Sequence, residues 1–460
     1  MASVTTETIG RALVVGLVGP VLSEQERVWI ERYQPAGIIL FGRNVAGREA
    51  LDSLIASLRE CLRSDAEIVA DHEGGPVSVL EGAIGRPPAP WAMGVVDDLD
   101  LTHRVHAETG ARLHDLGIDR VLGPCCDVAS AARNLIIGAR AFGAEAELVA
   151  RHAAAAVRGL RESGVKSCLK HWPGHGGTVA DTHWSAVTEV GPSWQEPFVA
   201  AGNAGADAIM VGHLPYADGC PPASLDTELL TEWRQEHPLM QLWSDDLTMA
   251  GVRPTFVKRT GDDPGGSGMI DPEIIPHSWL EVAAVAGCER LLLRGIPWQA
   301  LPISSSSSVT REGTAPQTDP GVPQPSAAWD EVRRRCSANV TKQGRLVWLD
   351  ASPAHRWGSL SLADIQGSGW HGEAVTIDQD SSSSPPDLLL VTSQDPLSED
   401  TMKKLSSWKS QWSPARTIPQ ILVMGHPSLA ADVSNCLCVS TIECQCFDVT
   451  TRELSIRLAG

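Results

Sequence analysis

Tyrosine and phenylalanine are scarce in this chain, at two and five residues of 460, whereas tryptophan reaches fifteen. Basic residues are also in deficit: 37 Lys and Arg face 56 Asp and Glu, for a formal net charge of −19. Such a surface repels phosphate backbones and anionic lipid, so neither nucleic acid nor a membrane is an expected partner. No run reaches the ~18 apolar residues that span a bilayer. The stretch 11-RALVVGLVGPVL-22 lacks the basic leader and cleavage site of a signal peptide and reads as a first strand, so a cytoplasmic location is expected. A disulfide framework is missing too, because the eleven cysteines are odd in number and irregularly spaced. Those in apolar segments (Cys125, Cys126, Cys168, Cys288) read as buried, reduced thiols. Cys436-x-Cys438 and Cys444-x-Cys446 lack the two-residue knuckle of common zinc sites. The glycine-rich 260-TGDDPGGSGM-269 lacks the Lys-Ser/Thr of a phosphate loop, which argues against nucleotide binding.

What is present is a repeat of short β-branched runs, polar or glycine-rich breaks and longer amphipathic segments, the pattern of βα units. Eight runs occupy 13–19, 37–43, 67–75, 118–128, 165–171, 206–213, 239–246 and 288–295. Between them lie helical patterns such as 20–33, with Ser23 and Glu26 spaced as a capping box, and 145–164, closed by Gly164. Eight continuous apolar strands with crossover helices predict a (β/α)8 TIM-like barrel over residues 1–302. Most of the runs end in polar clusters (Arg43-Asn44, Asp71-His72-Glu73, Asp127, Lys170-His171, His213, Asp245-Asp246), at the barrel end where chemistry is kept. A Ser/Pro-rich linker follows at 303–328, then a smaller α/β sandwich-like domain at 329–460 with a helix expected over 398–412.

The densest group of titratable residues is 166-KSCLKHWPGHGGTVADTHWSAV-187. A metal site, an acid/base loop or a binding surface would each use such residues. Pro173 and the glycines exclude helix here, and Asp181 and His183, two apart, then share one side of an extended segment. A carboxylate on one imidazole nitrogen would leave the other to move a proton near neutral pH; two solvated loop residues are the plainer alternative. Asp245 at a strand end can serve as nucleophile, as metal ligand or as a loop anchor. Asp71, His171, His183 and Asp245 could in principle gather around a metal, but the charge of Lys170 beside His171 opposes a cation.

Lys170-His171-Trp172-Pro173-Gly174-His175-Gly176, continued by Asp181-Thr182-His183, resembles the Lys-His-Phe-Pro-Gly-His-Gly-Asp-Thr-x-x-Asp-Ser-His motif of bacterial β-N-acetylglucosaminidases in glycoside hydrolase family 3. The stretches 36-AGIILFGRNV-45, 71-DHEGGPV-77, 134-NLIIGARAFG-143, 207-DAIMVGHLPY-216 and 243-WSDDLTMAG-251 extend the resemblance in the same order. It runs through about residue 251 and fades beyond. The resemblance implies that Asp245 attacks the anomeric carbon, that His183 serves as acid and then base with Asp181 orienting it, and that Asp71, Arg140, Lys170 and His171 hold sugar hydroxyls. His175 and His213 stay open between site-lining and structural roles. Trp172 and Trp184 flank the loop as candidate stacking platforms, although core packing suits most of the tryptophans.

Three positions depart from the family pattern: Pro76 stands where arginine is usual, Ala139 where an acidic residue precedes the arginine, and Gly177 where aspartate precedes threonine. The expectation is a retaining exo-β-N-acetylglucosaminidase acting on small glycans or muropeptides, with a carbohydrate as its small-molecule partner and no metal or organic cofactor. A glycoside phosphorylase, a sugar-binding barrel without turnover and a metallohydrolase are the alternatives.

Overall fold

The structure is a computed structural model, and it describes residues 5–130, 134, 136–178, 182, 195–265, 268–303 and 326–336, with the later segments 346–350, 374–376, 388–393, 403, 420–425 and 444–446. Each of the eight expected runs contains a strand of one sheet. The strands are β1 (Leu13–Gly16), β2 (Gly37–Leu40), β3 (Glu67–Ala70), β6 (Arg120–Val121), β7 (Lys166–Trp172), β8 (Ala208–Val211), β9 (Gln241–Ser244) and β10 (Leu291–Leu293). A short antiparallel hairpin, β4 (His72–Gly74) and β5 (Val77–Ser78), follows β3. The sheet order is β10-β1-β2-β3-β6-β7-β8-β9, every pairing parallel. Its two ends meet through a parallel bridge between Trp243 and Arg290, with the Ser244 N–H donating to the Arg290 carbonyl at 2.8 Å, so the sheet closes into a (β/α)8 barrel.

Alternation along the strands builds two separate cores. Val14, Ile39, Val69, Leu122, Cys168, Met210, Trp243 and Leu292 fill the barrel interior. Their neighbours Leu13, Val15, Ile38, Leu40, Ile68, Val121, Leu169, Ile209, Leu242 and Leu291 instead pack in the core beneath the helices. The same period puts Glu67 and Asp71 in phase with Val69, Lys166 and Lys170 with Cys168, and Asp245 with Trp243. Charged residues thus mark the ends of inward-facing rows.

The helix Glu24–Tyr33 has the expected cap: Ser23 Oγ accepts from the Glu26 N–H, and the Glu26 carboxylate accepts from the Ser23 N–H. The helix Ala146–Glu162 ends two residues before Gly164, with Ser163 as its C-cap in place of the expected glycine and Gly164 beyond at φ +81°. That is the left-handed position usual for glycine at a helix end.

Helix Ala327–Cys336 packs on the barrel, where Ala328, Trp329 and Val332 join the main core and the Arg112 guanidinium lies 4.4 Å from the Trp329 ring centre. A second parallel sheet comprises β11 (Leu346–Asp350), β12 (Ala374–Thr376), β13 (Leu388–Ser393), β14 (Gln420–Gly425) and β15 (Cys444–Cys446), in the order β12-β11-β13-β14-β15. Residues 304–325 of the expected 303–328 linker, the expected helix apart from Lys403, and Cys436 and Cys438 all lie outside the described residues. Among the described residues, no helix is long and apolar enough to cross a membrane.

Candidate active site

The carboxyl ends of β3, β6 and β7 bring one buried group of charges together. Lys170, 2% exposed, lies 2.5 Å from a carboxylate oxygen of Asp71 and 2.5 Å from one of Glu73. Glu73 also accepts two bonds from Arg140, Nε to Oε2 at 2.9 Å and Nη2 to Oε1 at 2.8 Å. Burial alone would raise the Glu73 pKa, but the charges of Arg140 and Lys170 overcome it and hold the group down to about 2. For the two cations burial acts the other way and is likewise overcome, so Arg140 and Lys170 are both pushed up. The hairpin β4–β5 aims Asp71 and Glu73 at these cations and His72 away from them, buried, with its Nδ1 accepting from the Leu80 N–H at 3.3 Å. Pro76 sits in that hairpin's turn, in the position where a side-chain cation was expected.

His171 follows Lys170, and the register of β7 against β8 shifts between Leu169 and Trp172. The irregularity breaks strict alternation, so two sequence neighbours both reach the same charge cluster. His171 Nδ1 lies 2.7 Å from Asp127 Oδ2, and its Nε2 lies 3.2 Å from Arg140 Nη2. Asp127 is fully buried and also accepts from the N–H of His175 at 2.6 Å. Burial would raise its pKa, but the His171 imidazole and the His175 N–H hold it well below the carboxylate range.

Beyond β7 the chain turns tightly. Gly176 passes so close to Val128 that a Cβ there would come within 1.9 Å of the Val128 carbonyl oxygen, so only glycine fits. Asn134 fastens this turn, its amide donating to the carbonyls of His175 at 2.8 Å and Thr178 at 2.6 Å. Asp181 and His183 lie outside the described residues, as does Trp184. Thr182 between the first two is buried; its carbonyl accepts from the Gly251 N–H at 2.9 Å and its hydroxyl lies 3.3 Å from His175 Nε2. Burial lowers the His175 pKa to about 4.

Asp245 follows β9, its N–H bonded to the Val211 carbonyl at 3.0 Å and its Oδ1 accepting from the Asp246 N–H at 2.8 Å. Asp246 turns to the Thr248 hydroxyl at 2.7 Å, and burial raises its pKa. The two adjacent aspartates are therefore not equivalent. His213 links the ends of β8 and β9, with Nδ1 at 2.8 Å from Ser224 Oγ and Nε2 at 2.9 Å from the Asp246 carbonyl. Trp172 is buried against Trp233 at 4.7 Å between ring centres, which makes it core rather than a stacking platform. Arg43 and Asn44 serve the loops, donating to the carbonyls of Leu17 and Gly19 respectively.

Cys125, Asp127 and His171 place a sulfur, an oxygen and a nitrogen within 4.8 Å of one another, close enough for an ion. The Lys170 charge does not decide against one, since Asp71 and Glu73 already offset it. Arg140 does. A metal on Nδ1 of a neutral imidazole would move the ring proton to Nε2, which would then face the Arg140 N–H, donor against donor.

Sequence reasoning had no means of assigning Glu73, Asp127 and Asn134 as hubs. Glu73 and Asp127 were visible only as polar residues at strand ends, and nothing local to Asn134 indicates that its amide fastens carbonyls more than forty residues away.

The glycosyl hydrolase family 3 N-terminal domain model matches residues 5–258. A β-hexosaminidase of Xylella fastidiosa strain 9a5c is 34% identical over 257 residues, covering 52% of this chain and 76% of the relative. One from Stenotrophomonas maltophilia strain K279a is also 34% identical over 257 residues, covering 52% of this chain and 75% of the relative. Among solved structures, native NagZ from Neisseria gonorrhoeae is 28% identical with a TM-score of 0.53, covering 62% of this chain and 81% of that one. A family 3 β-N-acetylglucosaminidase from Paenibacillus is similar in fold over 98% of this chain and 95% of its own, with a TM-score of 0.73 at 22% identity.

Proposed function

The chain belongs to glycosyl hydrolase family 3, and on that premise we propose that it is a retaining exo-β-N-acetylglucosaminidase that removes terminal N-acetylglucosamine from small glycans, muropeptides among them. The observation that carries the reading is the convergence of Asp71, Arg140, Lys170 and His171 at one mouth of the barrel, with Asp245 two strands away along the same rim. These groups present both acceptors and donors to a pyranose, and polar groups buried in this way reject ligands lacking matching hydroxyls.

In the proposed mechanism Asp245 attacks the anomeric carbon as the glycosidic bond breaks, giving a glycosyl-aspartate. His183, oriented by Asp181, protonates the leaving oxygen and then takes a proton from the water that releases the sugar. An imidazole suits both steps near neutrality because its ordinary pKa lies close to the working pH. The Asp246 N–H holds one Asp245 oxygen, which aims the other and lowers the reorganisation needed for attack.

Charge at the mouth favours water over phosphate as acceptor. Three carboxylates (Asp71, Glu73, Asp127) face two fixed cations (Lys170, Arg140). A phosphate entering this rim would increase the negative excess, whereas water does not. The measurement is release of chromophore from an aryl β-N-acetylglucosaminide in phosphate and in phosphate-free buffer. The expected result is turnover in both, with Asp245→Asn lower by roughly 10³-fold or more, the scale of losing a transition-state interaction. Turnover that required phosphate would establish a phosphorylase instead, and an Asp245→Asn variant with wild-type kcat would remove the nucleophile assignment. A cytoplasmic setting, with a role in cell-wall recycling, accords with this substrate class.

A further inference from the structure

Asp127 belongs to none of the roles above, yet its carboxylate meets four partners. Oδ2 meets the ring Nδ1 of His171 at 2.7 Å, the backbone N–H of His171 at 3.2 Å and the thiol of Cys125 at 3.2 Å, while Oδ1 accepts from the His175 N–H at 2.6 Å. Two of these partners are backbone amides, which can only donate. The carboxylate is therefore held in one rotamer as an acceptor, and the hydrogen on the His171 ring must lie on Nδ1.

The other face of the same ring gives an independent constraint. Arg140 Nη2 lies 3.2 Å from His171 Nε2, and a guanidinium has no acceptor to offer. Arg140 cannot swing away cheaply, since Glu73 grips it twice and its Nη1 donates to the Ile136 carbonyl at 3.0 Å. An imidazolium, or the reversed tautomer, would set N–H against N–H in a buried site. Nε2 must therefore carry a lone pair.

We propose that Asp127 is a positioning residue of the reaction: it fixes His171 as the Nδ1–H tautomer, so that Nε2 accepts from Arg140 and keeps that guanidinium aimed at the sugar as a donor. This rests on the reading that Arg140 holds a sugar hydroxyl. The reversed tautomer would turn an N–H on the guanidinium and displace a donor that the sugar uses.

The test is nitrogen NMR of full-length protein labelled with ¹⁵N in its histidines, with His171 assigned by its loss in His171→Gln. The expected wild-type spectrum shows Nδ1 protonated and Nε2 bare; a protonated Nε2 overturns the proposal, whatever any variant does. Asp127→Asn puts an amide N–H where the carboxylate was, so it is expected to reverse the tautomer and to raise KM by ~10- to 100-fold, as loss of a partner behind a liganding histidine does, with kcat moving less than KM. An Asp127→Asn protein that keeps both the wild-type tautomer and KM also overturns it. Cys125→Ala removes a donor but keeps the carboxylate and is expected to keep the tautomer; reversal there would place the control in packing rather than in Asp127. The spectra are recorded without substrate, so the tautomer is judged separately from the hydrolase reading.

Discussion

At the end of the barrel where the strands begin, Glu67 opens β3 and Lys166 opens β7; at the end where they finish, Asp71 follows β3 and Lys170 lies near the close of β7. At the lower end Arg120, 1% exposed, is ringed by Glu67 at 2.7 Å, Asp207 at 2.5 Å and the Ser167 carbonyl at 2.6 Å, with its guanidinium 5.1 Å from the Trp243 ring centre. Lys166 reaches Glu67 at 2.7 Å and completes the set. The upper cluster uses the same chemistry on the same strands, but it sets two carboxylates on one lysine and leaves Asp71 partly exposed at the mouth. A closed network plugs a barrel; one with capacity to spare can receive a ligand.

Removing the central cation at each end sharpens the contrast. Lys170→Met is expected to lower kcat/KM by about 10³-fold, since it takes a charged donor from the sugar and leaves Asp71 and Glu73 facing each other. Steady-state kinetics on the folded variant would check this, and a loss under tenfold would break the comparison. Arg120→Met is expected to cost about 3 kcal/mol of stability by denaturant unfolding while the folded enzyme keeps its kcat/KM, because a buried pair is broken far from the substrate. An Arg120→Met enzyme that is stable but slow would show that the lower plug also governs the mouth.

The smallest effect concerns pH. Burial lowers the pKa of His72 to about 3 and that of His106 to about 4, from an ordinary 6.5. Both stay neutral when folded and take up protons on unfolding, so the unfolded chain binds more protons and stability falls as pH drops below about 6.5. Glu73, lowered from 4.5 to about 2, works in a later window: its contribution is complete above 4.5 and disappears as pH falls towards 2. His106→Gln is expected to flatten the upper slope by at most about 1.4 kcal/mol per pH unit, the value for one proton. Urea midpoints between pH 6.5 and 4 would show it; an unchanged slope would assign acid lability to the charge networks instead.

Much of this was readable from the sequence because the signals were local. Eight apolar runs gave eight strands, and the Ser23–Glu26 spacing gave its capping box. Asp71, Arg140, Lys170 and His171 gather as the motif implied, whereas Asp181 and His183 lie outside the described residues. The partners of these residues were not readable. Lys170 looked like a charge opposing a cation, because nothing in sequence says that Asp71 and Glu73 approach it from β3 and the hairpin. Trp172 was open between platform and core since hydrophobic rings line both cores and sugar sites, and burial against Trp233 decides for core. The two fates of Asp71 and His72 were available from strand alternation, but a polar cluster at a strand end invites being read as a unit.

The helix Ala327–Cys336 changes what the serine-rich stretch before it can be. At one end Ile303, partly buried, packs against the barrel's main core, and at the other Ala328, Trp329 and Val332 belong to it. The intervening residues therefore join two points of a single body and do not set the distance between two bodies. Insertions there are expected to be tolerated, because the residues flanking that stretch are anchored on one and the same core.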